Sequence, residues 1–248
     1  LFFILGFCDD KLNLNPNKKF IFLIFITLIF IKLDKNLLIQ SFSFSFYPHK
    51  IFIENYSIFF TVFCFLILIN ALNFYDGING QSLIFYFIVF SYLLIITEKF
   101  EFYGIILFIL AFLFFLNLKK LLFLGDNGIY VLTTILSSTI IYEHNVYENI
   151  IFVDEIFMLL FLPGLDLIRL TITRLLKGKN PFYGDRNHIQ HLLIKKYSLL
   201  TTNLILFFLG ITPILFFNFL KLNFFIAISI FVIIYFLIII RLKKNESF

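Results

Sequence analysis

Residues 55–80 read NYSIFFTVFCFLILINALNFYDGING. Between Asn55 and Tyr75 there is no Asp, Glu, Lys or Arg. Crossing ~30 Å of hydrocarbon takes about 20 residues of helix, so this stretch is a membrane span by itself. Helix is the required form, because a lone strand cannot satisfy its backbone in lipid. At the end of the span, Asn70, Asn73 and Asp76 recur every three residues and share one helical face. Gly77 and Gly80 then permit a tight turn and a close backbone approach to a ligand. A C-cap with a glycine turn explains the glycines, but not three polar groups in register.

The same reading extends outward. Charge-free stretches cover 77–97, 102–118, 127–142, 197–220 and 222–240. Residues 20–33 are apolar except for Lys32, which can snorkel to the headgroups. Residues 152–172 carry Asp154 and Glu155 near one end, and Asp166 and Arg169 near the other. The last two are spaced to face each other on a helix. The expectation is an all-α polytopic bundle of eight complete spans in one domain, 1–248, with Leu1–Cys8 as the tail of a further span. The chain does not begin with Met, so either its start codon is read literally as Leu or the sequence is a fragment lacking N-terminal helices. The Ser/Phe alternation at Ser41–Phe46 reads as a short strand or an interfacial segment.

Composition agrees. The chain is 61% hydrophobic and 14% charged, against roughly a quarter charged in soluble domains. A soluble enzyme and a disordered chain are both excluded. The 40 Phe, the absence of Trp, and 16 Lys against 4 Arg suggest AT-rich codon supply, so run length is the better guide than mean hydropathy. Cys8 and Cys64 lie in or beside spans without metal-type or disulfide spacing.

Alternating spans put residues 9–19, 73–82, 119–128, 173–198 and the tail from 241 on one side. That side holds 15 of the 20 Lys and Arg, the other only five. The excess assigns it to the cytoplasm, in a multi-pass protein of the cell (inner) membrane. The net charge of +5 therefore reads as topology, and no nucleic-acid partner is expected.

Four polar clusters fall on this side, each at a helix end. In Gly6-Phe7-Cys8-Asp9-Asp10, adjacent carboxylates repel unless a cation lies between them or one is protonated. A Mg²⁺–diphosphate would supply the cation; a solvated helix end is the alternative. The second cluster is the Asn70–Gly80 segment. In Phe123-Leu124-Gly125-Asp126-Asn127-Gly128, Asp126 can ligate Mg²⁺ or serve as a plain N-cap. The fourth runs from Lys177-Gly178-Lys179-Asn180-Pro181-Phe182 to Asp185-Arg186-Asn187-His188-Ile189-Gln190-His191. His188 and His191 share a helical face, and with Arg186 and the lysines they form a cationic patch suited to an anion. Ordinary positive-inside charge with surface histidines is the alternative there.

Taken in order, the four clusters resemble the polyprenyl-phosphate N-acetylhexosamine-1-phosphate transferases, and among them the undecaprenyl-phosphate GlcNAc-1-phosphate branch of glycosyltransferase family 4. The resemblance runs from about Gly6 to about Leu193. It implies attack of a polyprenyl phosphate oxygen on the β-phosphorus of a UDP-N-acetylhexosamine. UMP is released and a lipid-linked surface glycan is begun, with Mg²⁺ as cofactor and Mn²⁺ as a substitute. It also implies residue roles. Asp9 and Asp10 match the paired aspartates that bind metal-diphosphate and deprotonate the lipid phosphate. Asp126 matches the Mg²⁺ aspartate, and Phe123 an aromatic that stacks on uracil. Asp76, Asn70 and Asn73 match the nucleotide-side motif, and Asn79 beside them is expected to bind substrate. Arg186, His188 and His191 match the loop that contacts diphosphate and sugar. Asp166, following Pro163, matches a P-x-x-D pattern read as structural.

The chain departs from that pattern at Asn79, where relatives usually carry a second aspartate, and at Gln190, where they usually carry a histidine. An inactive remnant or membrane scaffold of the same family is the alternative reading, and a homodimer is one expected assembly. Paired D-x-x-x-D clusters of aromatic prenyltransferases are not found.

Overall fold

A computed structural model describes residues 1–12, 14–146, 151–181 and 185–244. Phe182, quoted in the fourth cluster, lies outside them. The first helices are α1 (Phe2–Leu12) and α2 (Pro16–Leu33). Asn15 caps α2, its side chain accepting from the Asn17 N–H, and Pro16 opens the helix, where a missing N–H costs nothing. A hairpin follows, β1 (Ser41–Phe44) antiparallel to β2 (Tyr47–Phe52). The Ser/Phe alternation is thus a strand, and the fold is nearly all-α. Then come α3 (Ser57–Tyr75), α4 (Gln81–Thr97), α5 (Phe100–Leu118), α6 (Gly125–Val146), α7 (Val153–Leu159), α8 (Phe161–Leu176), α9 (Ile189–Ile194), α10 (Leu199–Leu220) and α11 (Phe224–Lys244).

The expected eight complete spans are not what the helices provide. Among the described residues four stretches are long and apolar enough to cross a membrane: Glu54–Tyr75, α5, α10 and α11. A fifth is reached only by counting α7 and α8 as one span broken by a 74° bend. α4 is apolar but 17 residues long, about 26 Å at 1.5 Å per residue. α2 carries Lys18, Lys19 and Lys32, and α6 carries Asp126 and Glu143. Charge-free run length overcounts because it ignores breaks. At Pro163 the ring would meet the Leu159 carbonyl one turn back, and α7 ends at Leu159.

Segregation of the polar ends survives this correction. Lys19 reaches Asp126, Asn117 accepts from the Gly80 N–H, Asn203 donates to the Asn79 carbonyl, and Lys196 donates to the Leu242 carbonyl. All these join the ends expected on the first side. At the opposite end Lys99 pairs with Glu143, Ser45 bonds buried Asp154, and Phe46 stacks on Phe224.

Between the ends lies one extended apolar core, including Leu23, Ile69, Leu72, Tyr86, Phe90 and Tyr130. α1 lies closely along α6. A Cβ on Gly6 would stand 2.5 Å from the Asn127 nitrogen, and neither backbone can yield locally. Gly6→Ala is therefore expected to push α1 off α6 at a cost of about 1–3 kcal/mol. Thermal unfolding in detergent checks this, and an unchanged midpoint would refute it.

Candidate active site

Local sequence delivers each group to one end of the bundle. Asp9 sits in the last turn of α1, where its Oδ1 accepts the Leu14 N–H at 3.0 Å and folds the chain back toward α2. That turn places Lys19, on the first turn of α2, beside it. The Lys19 ammonium lies 2.5 Å from Asp9 Oδ2 and 2.6 Å from Asp126 Oδ2. Asn73, from the last turn of α3, donates to Asp126 Oδ1 at 2.6 Å. Three helices distant in sequence thus bring two carboxylates to one cationic position, with an amide steadying the Asp126 carboxylate from its other oxygen.

The cation expected between carboxylates is here a lysine, and it joins Asp9 to Asp126 rather than Asp9 to Asp10. Asp10 turns the other way. Its oxygens accept the Asp126 N–H at 2.9 Å and the Asn127 N–H at 3.3 Å. It satisfies the first N–H groups of α6, where a negative charge also favours the helix dipole. Capping of α6, assigned as the alternative role of Asp126, thus falls to Asp10. Gly125, at φ +62°, makes this approach possible, since a Cβ there would stand 2.6 Å from Asp10 Oδ2.

The charges are interdependent. Burial raises the Asp9 carboxyl above its usual range, and the hydrogen bond to Asp126 adds to this, against the pull of Lys19. Burial opposes ionisation of Asp126 as well, but its hydrogen bond with Asp9 and the Lys19 charge hold it below the ordinary value. Lys19 is held firmly protonated. Burial works against its charge, and the neighbouring Tyr130 and Asp126 outweigh it.

The Asn70-Asn73-Asp76 stripe is divided by the tertiary structure. Asn70 spends its amide on the Leu66 carbonyl in its own helix. Only Asn73 reaches the carboxylates. Asp76 lies just past the end of α3 and accepts from Ser82 Oγ at 2.5 Å. Burial, with the Asp126 charge adding after the opposing Ser82 hydrogen bond, pushes its carboxyl up to about 6. Asn79 offers its main-chain carbonyl to Asn203. Phe123 stands 80% exposed, its ring open for stacking.

The basic loop docks on the same end of α3. Gln190 donates to the Phe74 carbonyl at 2.9 Å and reaches the Tyr75 carbonyl at 3.4 Å, satisfying orphan groups of that terminus. Gln190, at the position usual for a histidine, is therefore a helix clamp. His188 is buried. Its Nδ1 faces Asp166 Oδ2 at 2.7 Å, and its Nε2 faces Arg174 Nη2 at 3.2 Å. A carboxylate only accepts and a guanidinium only donates, so the ring carries its proton on Nδ1 and offers the Nε2 lone pair to Arg174. Both nitrogens are occupied. Asp166 also takes Arg169 at 2.7 Å and the Tyr235 hydroxyl, which bears out its structural reading and its pairing with Arg169. His191 is half-buried beside the Gly77 turn. Burial first, and then the Arg186 charge, lower its imidazole pKa. Arg186 is exposed.

Asp9, Asp126 and Asn73 are thus brought together, Asp76 and the histidines adjoin them through the end of α3, and Asn70 turns away. Lys19, Ser82 and Arg174 escaped sequence reasoning. Lys19 counted only toward the positive-inside excess, although Pro16, opening a helix seven residues after Asp9, could have placed it. Among the described residues no group of three or more His, Cys, Asp or Glu converges on a metal position. Asp9 and Asp126 alone suit Mg²⁺, which commonly takes one or two carboxylates and completes its shell with substrate phosphates and water.

A family model described as glycosyl transferase family 4 matches residues 1–144, which include the aspartates of α1, the Asn70–Gly80 segment and Asp126. No curated protein matches the chain.

Proposed function

The chain belongs to glycosyl transferase family 4, and from that premise we propose that it transfers N-acetylhexosamine-1-phosphate from a UDP-sugar to polyprenyl phosphate. The family makes it a membrane-embedded sugar-phosphate transferase with a lipid phosphate acceptor. The donor, the metal and the cytoplasmic placement of the site are our reading. The observation that supports it best is the convergence of Asp9 and Asp126 on one cationic position at the end of the bundle, with Asn73 bonded to Asp126. A lipid headgroup and a water-borne donor can meet there.

In this reading a phosphate oxygen of the lipid bonds to the β-phosphorus of the donor. The bond from that phosphorus to the bridging oxygen breaks, and UMP leaves. Such transfer is mainly positioning and charge neutralisation. Asp9 and Asp126 would hold Mg²⁺, which neutralises the diphosphate. Lys19 keeps the two carboxylates together before substrate arrives and is placed to move onto a phosphate. Asp9, with its raised carboxyl, suits proton acceptance from the lipid phosphate. Asp10 orients α6 so that Asp126 faces the site. Asp76 and Asn79 form the turn that receives the nucleotide, and exposed Phe123 stacks on its base. Arg186 meets the donor diphosphate from the loop, and His191, with its lowered pKa, accepts a hydrogen bond from the sugar.

The test is UMP release by full-length protein with Mg²⁺, polyprenyl phosphate and a panel of UDP-sugars. No Mg²⁺-dependent UMP from any UDP-N-acetylhexosamine would defeat the proposal. The pH profile adds a second reading. If ionised Asp76 is needed, turnover rises through an apparent pKa of about 6. Stability moves the other way. Between the ordinary aspartate pKa and about 6 the folded state holds a proton that the unfolded state has released, so stability falls as pH rises. Asp76→Asn is expected to gain about 1–2 kcal/mol at pH 7, after allowance for partial exposure, and to lose that activity limb. A less stable variant with the wild-type profile would exclude the role.

A further inference from the structure

The observation concerns a cavity away from the carboxylates. It measures about 470 Å³ and lies between α8, the basic loop and the end of α11. Among the described residues its lining includes Arg174, Lys177, Lys179 and Lys243, with Asp185 as the one carboxylate. Arg174 is buried and rigidly held: Nε donates to Asp185 Oδ2 at 2.9 Å and Nη1 to the Pro181 carbonyl at 2.9 Å. The lysines are exposed. Four cations against one anion in a concave site leave an excess of three positive charges. That excess selects a phosphate-bearing group.

The position of α8 decides between a dissolved phosphate and a lipid. Ile168, Ile172, Leu175 and Leu176 are all more than half exposed, and their spacing makes one apolar stripe. Leu170, Thr173, Arg174 and Lys177 occupy the opposite face and line the cavity. An amphipathic helix of this kind lies in the membrane interface with its apolar stripe among the acyl chains. The cavity then opens at headgroup level, where anionic lipids concentrate negative charge near basic pockets on the cytoplasmic side.

We infer that this cavity is an accessory site for the phosphodiester headgroup of an anionic bilayer phospholipid, separate from the reacting centre. The inference stands whether or not the proposed reaction is right, because its readout is lipid retention.

Full-length protein is placed in nanodiscs of mixed phosphatidylglycerol and phosphatidylcholine, and protein-retained lipid is quantified by native mass spectrometry. The triple variant Lys177→Gln, Lys179→Gln, Lys243→Gln is expected to retain at least about tenfold less phosphatidylglycerol, since one surface lysine contributes roughly fivefold. A control variant, Lys11→Gln with Lys120→Gln, removes two basic charges elsewhere on the same side and should retain it normally. Inorganic phosphate at millimolar concentration should not displace the lipid. Equal retention by the triple variant, equal loss in the control, or displacement by inorganic phosphate would each overturn the inference. So would a raised KM for polyprenyl phosphate in the triple variant with phosphatidylglycerol retention intact, because the cavity would then serve the acceptor.

Discussion

Asp126→Asn is expected to lower Mg²⁺-dependent UMP release at least ~10³-fold, while the protein stays folded. Asp126 sits where three elements meet: Lys19 from α2, Asn73 from α3, and its own main-chain N–H, which Asp10 accepts from α1. The amide keeps the size of the carboxylate and one acceptor oxygen. The N–H held by Asp10 belongs to the backbone and is untouched. What disappears is the negative charge held low by the hydrogen bond with Asp9 and by Lys19. Lys19 retains Asp9 as a partner at 2.5 Å, so the loss of stability should stay within about 1–2 kcal/mol. Asp126→Glu, which keeps the charge, is expected to recover part of the rate at raised Mg²⁺. Steady-state kinetics with a parallel unfolding curve separate the contributions. An Asn variant within tenfold of wild type would remove Asp126 from the reaction, and one that fails to fold would make it a structural residue.

The largest stability effect is expected at Asp166. One buried carboxylate there accepts from Arg169, Tyr235 and His188. It ties α8 to α11 and to the start of α9. Arg169 is buried, and its Nη1 has no partner among the described residues. Asp166→Ala would leave that guanidinium without its counter-charge, at a cost of about 3–5 kcal/mol. His188 would lose the acceptor that fixes its tautomer, and with it the grip of Arg174. Hydrogen exchange should therefore rise over residues 185–191 before global unfolding. Asp166→Asn, which keeps an acceptor but not the charge, should fall between the two. A midpoint within about 2 °C of wild type for the Ala variant would show that the network contributes little.

These two residues show where sequence reading reaches. Asp126 was legible as a candidate because a carboxylate between glycines at a span boundary is conspicuous when only 14% of residues are charged. The Asp166–Arg169 pair was legible from helical spacing alone. Lys19 was not, because its significance lies in contacts with Asp9 and Asp126, and no local pattern encodes a partner 107 residues away. The polar stripe of α3 misled for the opposite reason. Helical spacing puts Asn70 and Asn73 on one side, but an asparagine can return its amide to its own helix, as Asn70 does. His188 was assigned to the substrate, and packing spent both of its ring nitrogens on protein groups instead.

By itself the sequence determined that this is a membrane protein of apolar helices with its polar clusters at helix ends. Uncharged run length and charge sidedness are direct consequences of what lipid tolerates, and they act residue by residue. Which helices are long enough to cross, where the chain breaks at Leu160, and which carboxylate faces the cation were decided only by tertiary structure. Those outcomes depend on a proline meeting a carbonyl, a glycine letting α1 touch α6, and a lysine choosing between acids that are neighbours only in space.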